Sequence, residues 1–282
     1  MTIDKICVCG AGTMGIGIAQ TAAQAGFSVI LYDRDEKAVS IAEEKMKINL
    51  ELLLTKGKIS REESSDIQLR LQFTTILSDC VADLFIEAII ENMDAKVDLL
   101  NSLAGINRHD AIFATNTSSL RVTELARRSA RSSRVAGLHF FNPATIMKLV
   151  EIVKTNYTDP AVIDFLELVV AKMGKVHVLC KDSPGFIVNR VARPFYIEAL
   201  RLAEEGHSSF LQADRLMEAS GFKLGPFKLM DLIGNDINYA VSCSVYEQLG
   251  EPERLKPSEI QMNHVSAGKL GKKTGEGYYQ YN

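Results

Sequence analysis

The segment Lys5-Ile6-Cys7-Val8-Cys9-Gly10-Ala11-Gly12-Thr13-Met14-Gly15 constrains the fold of this chain more than any other. A short run of buried-strand character enters a G-x-G-x-x-G turn, and a helical pattern opens behind it through Ile16, Ile18 and Ala19. Strand, glycine turn and helix in that order make the phosphate-binding unit of a dinucleotide fold. Gly10 permits the tight turn, Gly12 lets the backbone approach a pyrophosphate, and Gly15 lets helix and strand pack closely. The helix start then offers N–H groups and the positive end of its dipole to the phosphates. A second apolar run, Ser28-Val29-Ile30-Leu31-Tyr32, ends at Asp33, where an acid meets the adenosine ribose hydroxyls. A glycine-rich turn of some unrelated α/β protein would leave Asp33 unexplained.

Up to residue 183 or so, apolar strand-like runs alternate with helical patterns. The strands read at 4–9, 28–32, 83–87, 111–114, 134–138 and 147–153, with 175–180 as a further edge. Such alternation predicts an α/β fold, a doubly wound and mostly parallel sheet with helices on both faces. The stretch 36–72 is longer than a simple crossover and reads as a helical insertion of two helices, the first stopping at Gly57 and a second, short one following. Its basic tip, Lys56-Gly57-Lys58, is either an anion contact or a solvated loop. The character changes at Lys181-Asp182-Ser183-Pro184-Gly185, beyond which strand signals nearly vanish. Helices read at 186–205, with Pro194 as an expected kink, and at about 209–219, 228–249 and 257–268. A Gly- and Lys-rich tail then leads to a short terminal strand. The expected organisation is a dinucleotide-binding domain at 1–183 and an all-helical domain at 184–282 that supplies a substrate wall and a dimer surface.

Composition narrows the function classes. With a net charge of −3 the chain has no electrostatic case for nucleic acid or for an anionic membrane surface. Apolar runs are cut short, Phe85-Ile86 by Glu87 and Ile89-Ile90 by Glu91, far below the roughly 18 residues of a membrane span. Asp4 followed directly by a strand predicts no signal peptide and a cytoplasmic location. The five cysteines are odd in number, and Cys7-Val8-Cys9 is too tight for a metal knuckle. Reduced core thiols and no metal are expected.

Ligands of an open parallel sheet bind at the carboxyl ends of its strands, which directs attention first to two places. After strand 111–114 come Thr115-Asn116-Thr117-Ser118-Ser119. Ser118 or Ser119 is a natural cap for the next helix, yet a cap needs one such residue, which leaves Asn116 or Ser118 open to a functional role. His139 ends the strand 134–138, ahead of Phe140-Phe141-Asn142-Pro143. In Met147-Lys148-Leu149-Val150-Glu151-Ile152-Val153, alternation puts Glu151 on one face with Met147, Leu149 and Val153. A carboxylate there is costly unless paired, and His139 is the available partner. A His polarised by a buried carboxylate is a general-base arrangement; the alternative is a structural Glu with a backbone or lysine partner. Asn189, behind Ser183-Pro184-Gly185-Phe186, either faces a cleft toward the first domain or is a plain surface residue.

Taken together, Gly10–Gly15, Asn116-Thr117-Ser118-Ser119-Leu120, His139-Phe140-Phe141-Asn142-Pro143 and Met147–Glu151 stand in an order that resembles a known family. Pro184-Gly185-Phe186-Ile187-Val188-Asn189-Arg190 and Leu270-Gly271-Lys272-Lys273-Thr274-Gly275 complete the set. The chain resembles the 3-hydroxyacyl-CoA dehydrogenases, in particular the short bacterial 3-hydroxybutyryl-CoA dehydrogenases, over essentially its whole length. The resemblance implies NAD as cofactor and reversible oxidation of a (3S)-3-hydroxyacyl-CoA to the 3-oxoacyl-CoA. It implies His139 as base, Glu151 as its partner, and Ser118 and Asn189 as the groups that hold substrate oxygens. Around NAD it places Gly10, Gly12, Thr13, Met14, Gly15, Asp33, Glu91, Lys96, Asn116, Ser118, Asn142 and Lys273. Near the coenzyme A arm it places Asn49 and Lys56. It also implies a homodimer or a higher homo-oligomer.

One departure is visible. The family's helical domain often carries His-Pro-Met-Gly-Pro where this chain has Phe222-Lys223-Leu224-Gly225-Pro226. That puts acyl-chain preference or subunit contacts in doubt, not the reaction. Short chains such as 3-hydroxybutyryl-CoA are expected, with 3-hydroxyadipyl-CoA as the alternative. Other two-domain β-hydroxyacid dehydrogenases use a lysine base, which Asn189-Arg190 does not offer. A catalytically silent NAD-binding protein should have lost one of Ser118, His139, Glu151 and Asn189.

Overall fold

A computed structural model describes residues 4–281. The chain forms two compact units, 1–182 and 183–282. The first holds an eight-stranded sheet with strand order β3-β2-β1-β4-β5-β6-β7-β8. The strands are β1 (Lys5–Cys9), β2 (Ser28–Tyr32), β3 (Leu71–Thr74), β4 (Leu84–Glu87), β5 (Ile112–Thr115), β6 (Val135–Phe140), β7 (Leu149–Lys154) and β8 (Val176–Lys181). All neighbours run parallel except β6 and β7. Chain order reverses direction at β1 beside β4, the switch point at which doubly wound sheets take ligands.

The central strands read as continuous apolar runs because helices cover both faces. β1 packs Ile6 and Val8 with Ile16, Ile18, Ala19, Ala22 and Ala23 of α1 (Thr13–Gln24) on one side, and Cys7 and Cys9 with Phe85 and Phe113 on the other. The insertion is α2 (Glu36–Thr55) and α3 (Arg61–Leu69). Val39, Ala42, Met46 and Leu50 form the buried row of α2 at helical spacing. Asp35 caps α2, and Ser60 with Glu63 makes a capping box for α3. Gly57, at φ +63°, makes the bend between them. The strand β3 went unread in the sequence. It has four residues, only Thr74 of them buried, so its apolar signal is weak.

The second unit is helical: α7 (Val188–Glu204), α8 (Phe210–Ala219), α9 (Pro226–Ile233), α10 (Asn235–Gln248) and α11 (Glu259–Ser266), after α4 (Met93–Ile106), α5 (Val122–Arg128) and α6 (Pro160–Lys172) of the first. The stretch expected as one helix over 228–249 is two, because Gly234 sits at φ +104° and breaks the run. Pro194 lies inside α7 without ending it. In place of a terminal strand, the tail makes isolated bridges between Gly271, Glu276 and Gln280. Buried Asp231 fastens it by accepting from the Tyr278 and Tyr279 N–H groups and the Tyr281 hydroxyl.

Candidate active site

The glycine loop joins β1 to α1 at the switch point. Gly10 has φ +111°, and a Cβ on it would lie 2.5 Å from the Ala88 carbonyl oxygen. A Cβ on Gly15 would fall 1.7 Å from the Gly10 oxygen. Gly12 is different: a Cβ there meets nothing within 4 Å. Gly12 is also the N-cap of α1, no side chain caps that helix, and its first turn carries no acid. The N–H groups of Thr13 and Met14 thus open the helix with no anionic side chain to receive them, beside room where a backbone-hugging anion can enter. Asp33 accepts the Ala11 N–H at 2.8 Å and the Asp35 N–H at 3.1 Å, which ties the end of β2 to the loop.

Next along the switch side, Glu87 ends β4 with no exposed surface. Its carboxylate takes the Lys96 ammonium at 2.7 Å, the Thr115 hydroxyl at 2.6 Å and the Ile89 N–H at 2.7 Å. Lys96, itself 1% exposed, also reaches Glu91 at 3.2 Å. Glu91 in turn accepts the Thr117 and Ser119 hydroxyls and the Ser118 N–H. Burial pushes the Glu87 carboxyl up, opposed by Lys96 and by the bonds from Thr115 and Ile89. Burial also acts on Glu91, but the Lys96 charge and the donated hydroxyls outweigh it and hold that carboxyl below its ordinary range. Neither Ser118 nor Ser119 caps α5, whose N-cap is Arg121. Thr117 instead accepts the Leu120 N–H, so the loop is organised by Thr117 and Glu91. Asn116 accepts the Phe140 N–H at 2.8 Å and joins this loop to the end of β6.

His139 stands on β6 opposite Glu151 on β7. Its Nδ1 lies 2.8 Å from a Glu151 oxygen, and the two residues are 5% and 0% exposed. The Phe141 ring packs against the imidazole with centroids 4.5 Å apart. With Nδ1 beside a carboxylate, the tautomer that carries its proton on Nδ1 is favoured. Close behind lies Cys180, whose thiol is pushed up to about 12 by burial, helped by the charges of Glu151 and Asp182. It stays a neutral thiol. No group of three or more His, Cys, Asp or Glu among the described residues could hold a metal ion.

Comparison with known proteins decides the family. Residues 5–183 match the family model described as "3-hydroxyacyl-CoA dehydrogenase, NAD binding domain", and residues 185–281 match that of the C-terminal domain. The chain belongs to the 3-hydroxyacyl-CoA dehydrogenase family. It is 41% identical over its full length to the 3-hydroxyadipyl-CoA dehydrogenase of Escherichia coli, of whose length it spans 60%. It is 38% identical to the mitochondrial hydroxyacyl-coenzyme A dehydrogenase of the rat, covering 99% of this chain and 91% of that one. Its fold superposes on the crystal structure of (S)-3-hydroxybutyryl-CoA dehydrogenase from Ralstonia eutropha with a TM-score of 0.95, at 35% identity and full coverage of both chains.

NAD is the cofactor of this family's first domain, and the residues present fit it. The open space at Gly12 and the uncapped start of α1 suit a pyrophosphate, and the Asp33 carboxylate suits ribose hydroxyls while repelling a 2′-phosphate. Glu91 follows the carboxyl end of β4, where Lys96 is bound to Glu87, beside the end of β1 that enters the glycine loop, and Asn142 is exposed just after β6. Asn49 on α2 donates to buried Gln20 at 3.2 Å, and Lys56 is the exposed C-cap of α2. Asn189 is in the first turn of α7. Lys273 is held by both oxygens of Asp236, at 2.6 and 2.7 Å. The sequence reading missed Glu87 and Thr117 as organisers. Glu87 carried a readable signal, a carboxylate ending the wholly apolar run Leu84-Phe85-Ile86; Thr117 carried none.

Proposed function

We propose that this protein catalyses the reversible, NAD-dependent oxidation of a (3S)-3-hydroxyacyl-CoA to the 3-oxoacyl-CoA, with short acyl chains. The observation that carries the reading is the buried His139–Glu151 pair, at 2.8 Å. In the oxidation His139 accepts the hydroxyl proton at Nε2 as the carbon is oxidised. Glu151 holds the tautomer and stabilises the imidazolium that forms. Ser118, on the loop that Glu91 fastens, and Asn189 hydrogen-bond the reacting oxygen and the thioester carbonyl. Bound NAD supplies the hydride acceptor, and the protein supplies position and electrostatics.

A carboxylated acyl group is a second reading, favoured by the buried Arg193 and in keeping with the name of the Escherichia coli relative. Assembly into a homo-oligomer through the helical unit is proposed from its exposed Val191, Leu216, Phe222 and Leu232. No helix among the described residues is long and apolar enough to cross a membrane, and a cytoplasmic location fits. The test is NADH oxidation with acetoacetyl-CoA. Turnover is expected; tight NADH binding without turnover of any 3-oxoacyl-CoA would identify a silent binding protein instead.

A further inference from the structure

Arg193, on α7, is 3% exposed, yet no carboxylate among the described residues pairs with it. Its Nε donates to the Asn189 carbonyl at 3.0 Å. Its Nη1 donates to the Asn238 carbonyl and the Ser242 hydroxyl of α10, both at 2.9 Å. Its guanidinium lies 4.9 Å from the centre of the Tyr196 ring. All these partners are neutral. Burial pulls the guanidinium down to about 10, so it keeps its charge at neutral pH. A buried cation without a counter-charge is costly and rare.

A second donor beside it is also left over. Asn238 is 2% exposed and its Nδ2 has no hydrogen-bond partner. Turning the amide over does not help, because Oδ1 already accepts from Gln261 at 3.2 Å and faces Arg193 at 3.5 Å. The cluster therefore holds one uncompensated charge and one orphaned N–H donor, and it lacks an anionic acceptor. A planar guanidinium with an amide donor near it is the arrangement that receives a carboxylate.

Position indicates whose carboxylate. Arg193 lies one helical turn beyond Asn189, on the same side of α7, and bonds to it directly. The guanidinium folds back along the helix, its Nε 3.0 Å from the Asn189 carbonyl, so an acid group received there belongs to the molecule that Asn189 holds. We propose that Arg193 and Asn238 form a subsite for the terminal carboxylate of a dicarboxylic 3-hydroxyacyl-CoA. The proposal rests on the dehydrogenase reading above and on Asn189 as a substrate-holding residue.

The test compares kcat/KM for 3-hydroxyadipyl-CoA with that for 3-hydroxyhexanoyl-CoA, which has the same chain length and no terminal carboxylate. The wild type should prefer the diacid at least about tenfold, since a charge-assisted hydrogen bond is among the stronger ones. In Arg193→Met the ratio should fall to about one or below. Asn238→Asp supplies a carboxylate from within, so it should lower the ratio in the same direction while the Tm holds or rises. The Asp variant decides the matter if the Met variant fails to fold. A wild-type ratio at or below one, or an unmoved ratio in the folded variants, overturns the subsite, and turnover of the hexanoyl substrate then leaves the dehydrogenase reading standing. If neither substrate is oxidised while NADH still binds, both readings fall together.

Discussion

His139 and Glu151 are register partners in the antiparallel β6–β7 ladder, and their side chains meet at 2.8 Å inside the protein. Residues directly opposite in such a ladder have Cβ atoms about 5 Å apart, so backbone register alone brings the imidazole and the carboxylate within reach. The reversal of β7 in an otherwise parallel run of neighbours up to that point thus has a chemical consequence. It puts a carboxylate behind the imidazole without a loop to hold it there.

On the proposed mechanism, loss of His139 should cost catalysis more than binding. His139→Gln is expected to lower kcat for acetoacetyl-CoA reduction by about 10² to 10⁴ with NADH affinity nearly intact. Glu151→Gln removes the counter-charge and the fixed tautomer, and should fall in the same range or somewhat less. Steady-state kinetics beside NADH fluorescence titration separates the two effects. Retention of half the wild-type kcat in His139→Gln would sink the mechanism.

The strand–glycine–helix order was legible because Gly10 and Gly15 answer local backbone demands. The His139–Glu151 contact was legible because strand alternation is strict and a carboxylate on an apolar face needs a partner. What stayed hidden depends on tertiary context. β3 has one buried residue, so its pairing with β2 does not mark the sequence. Gly234 splits a helix through its own left-handed backbone, although glycine inside a helical pattern is often tolerated. Arg193 carried no signal in the sequence, because its surroundings come from Asn238 and Ser242, more than forty residues away.

Lys96 sits between Glu87 and Glu91, and its removal should have a pH signature. Burial already raises the Glu87 carboxyl, and Lys96 is the main force against that rise. In Lys96→Met both carboxyls should sit above their unfolded value of 4.5. A group raised on folding contributes stability below its unfolded value and loses it as pH rises through the folded one. The deficit in unfolding free energy relative to wild type, read from denaturant melts, should then be small near pH 4 to 5 and grow toward pH 8, to the order of 3–5 kcal/mol for an uncompensated buried charge. A deficit that shrinks with rising pH would contradict this account of the network.

Two glycines of one loop should fail in different ways. Gly15→Ala drives a methyl into the Gly10 carbonyl and should abolish folding or lower Tm severely. Gly12→Ala meets no protein atom and has an ordinary backbone, so Tm should hold within a degree or two. Its methyl occupies the space assigned to the pyrophosphate, and the NADH Kd should rise at least about tenfold. Thermal melts with and without NADH would show it as a lost ligand-induced shift. An unchanged Kd would remove Gly12 from the cofactor site.

The tip of the α2–α3 insertion poses a choice between function and local structure. Lys56 is exposed at the C-terminus of α2, where a cation also favours the helix dipole. A contact with the phosphates of the coenzyme A arm would act far from the reacting carbon and would hold ground state and transition state alike. Lys56→Ala is then expected to raise the KM for acetoacetyl-CoA several-fold with kcat little changed, and less so at high salt. A pantetheine thioester that lacks the nucleotide should not distinguish the variant from wild type. A dipole role predicts the opposite pattern: a small loss of Tm, and equal behaviour of the variant toward both substrates. Equal impairment with the two thioesters would therefore assign Lys56 to the helix end and leave the coenzyme A phosphates to other groups.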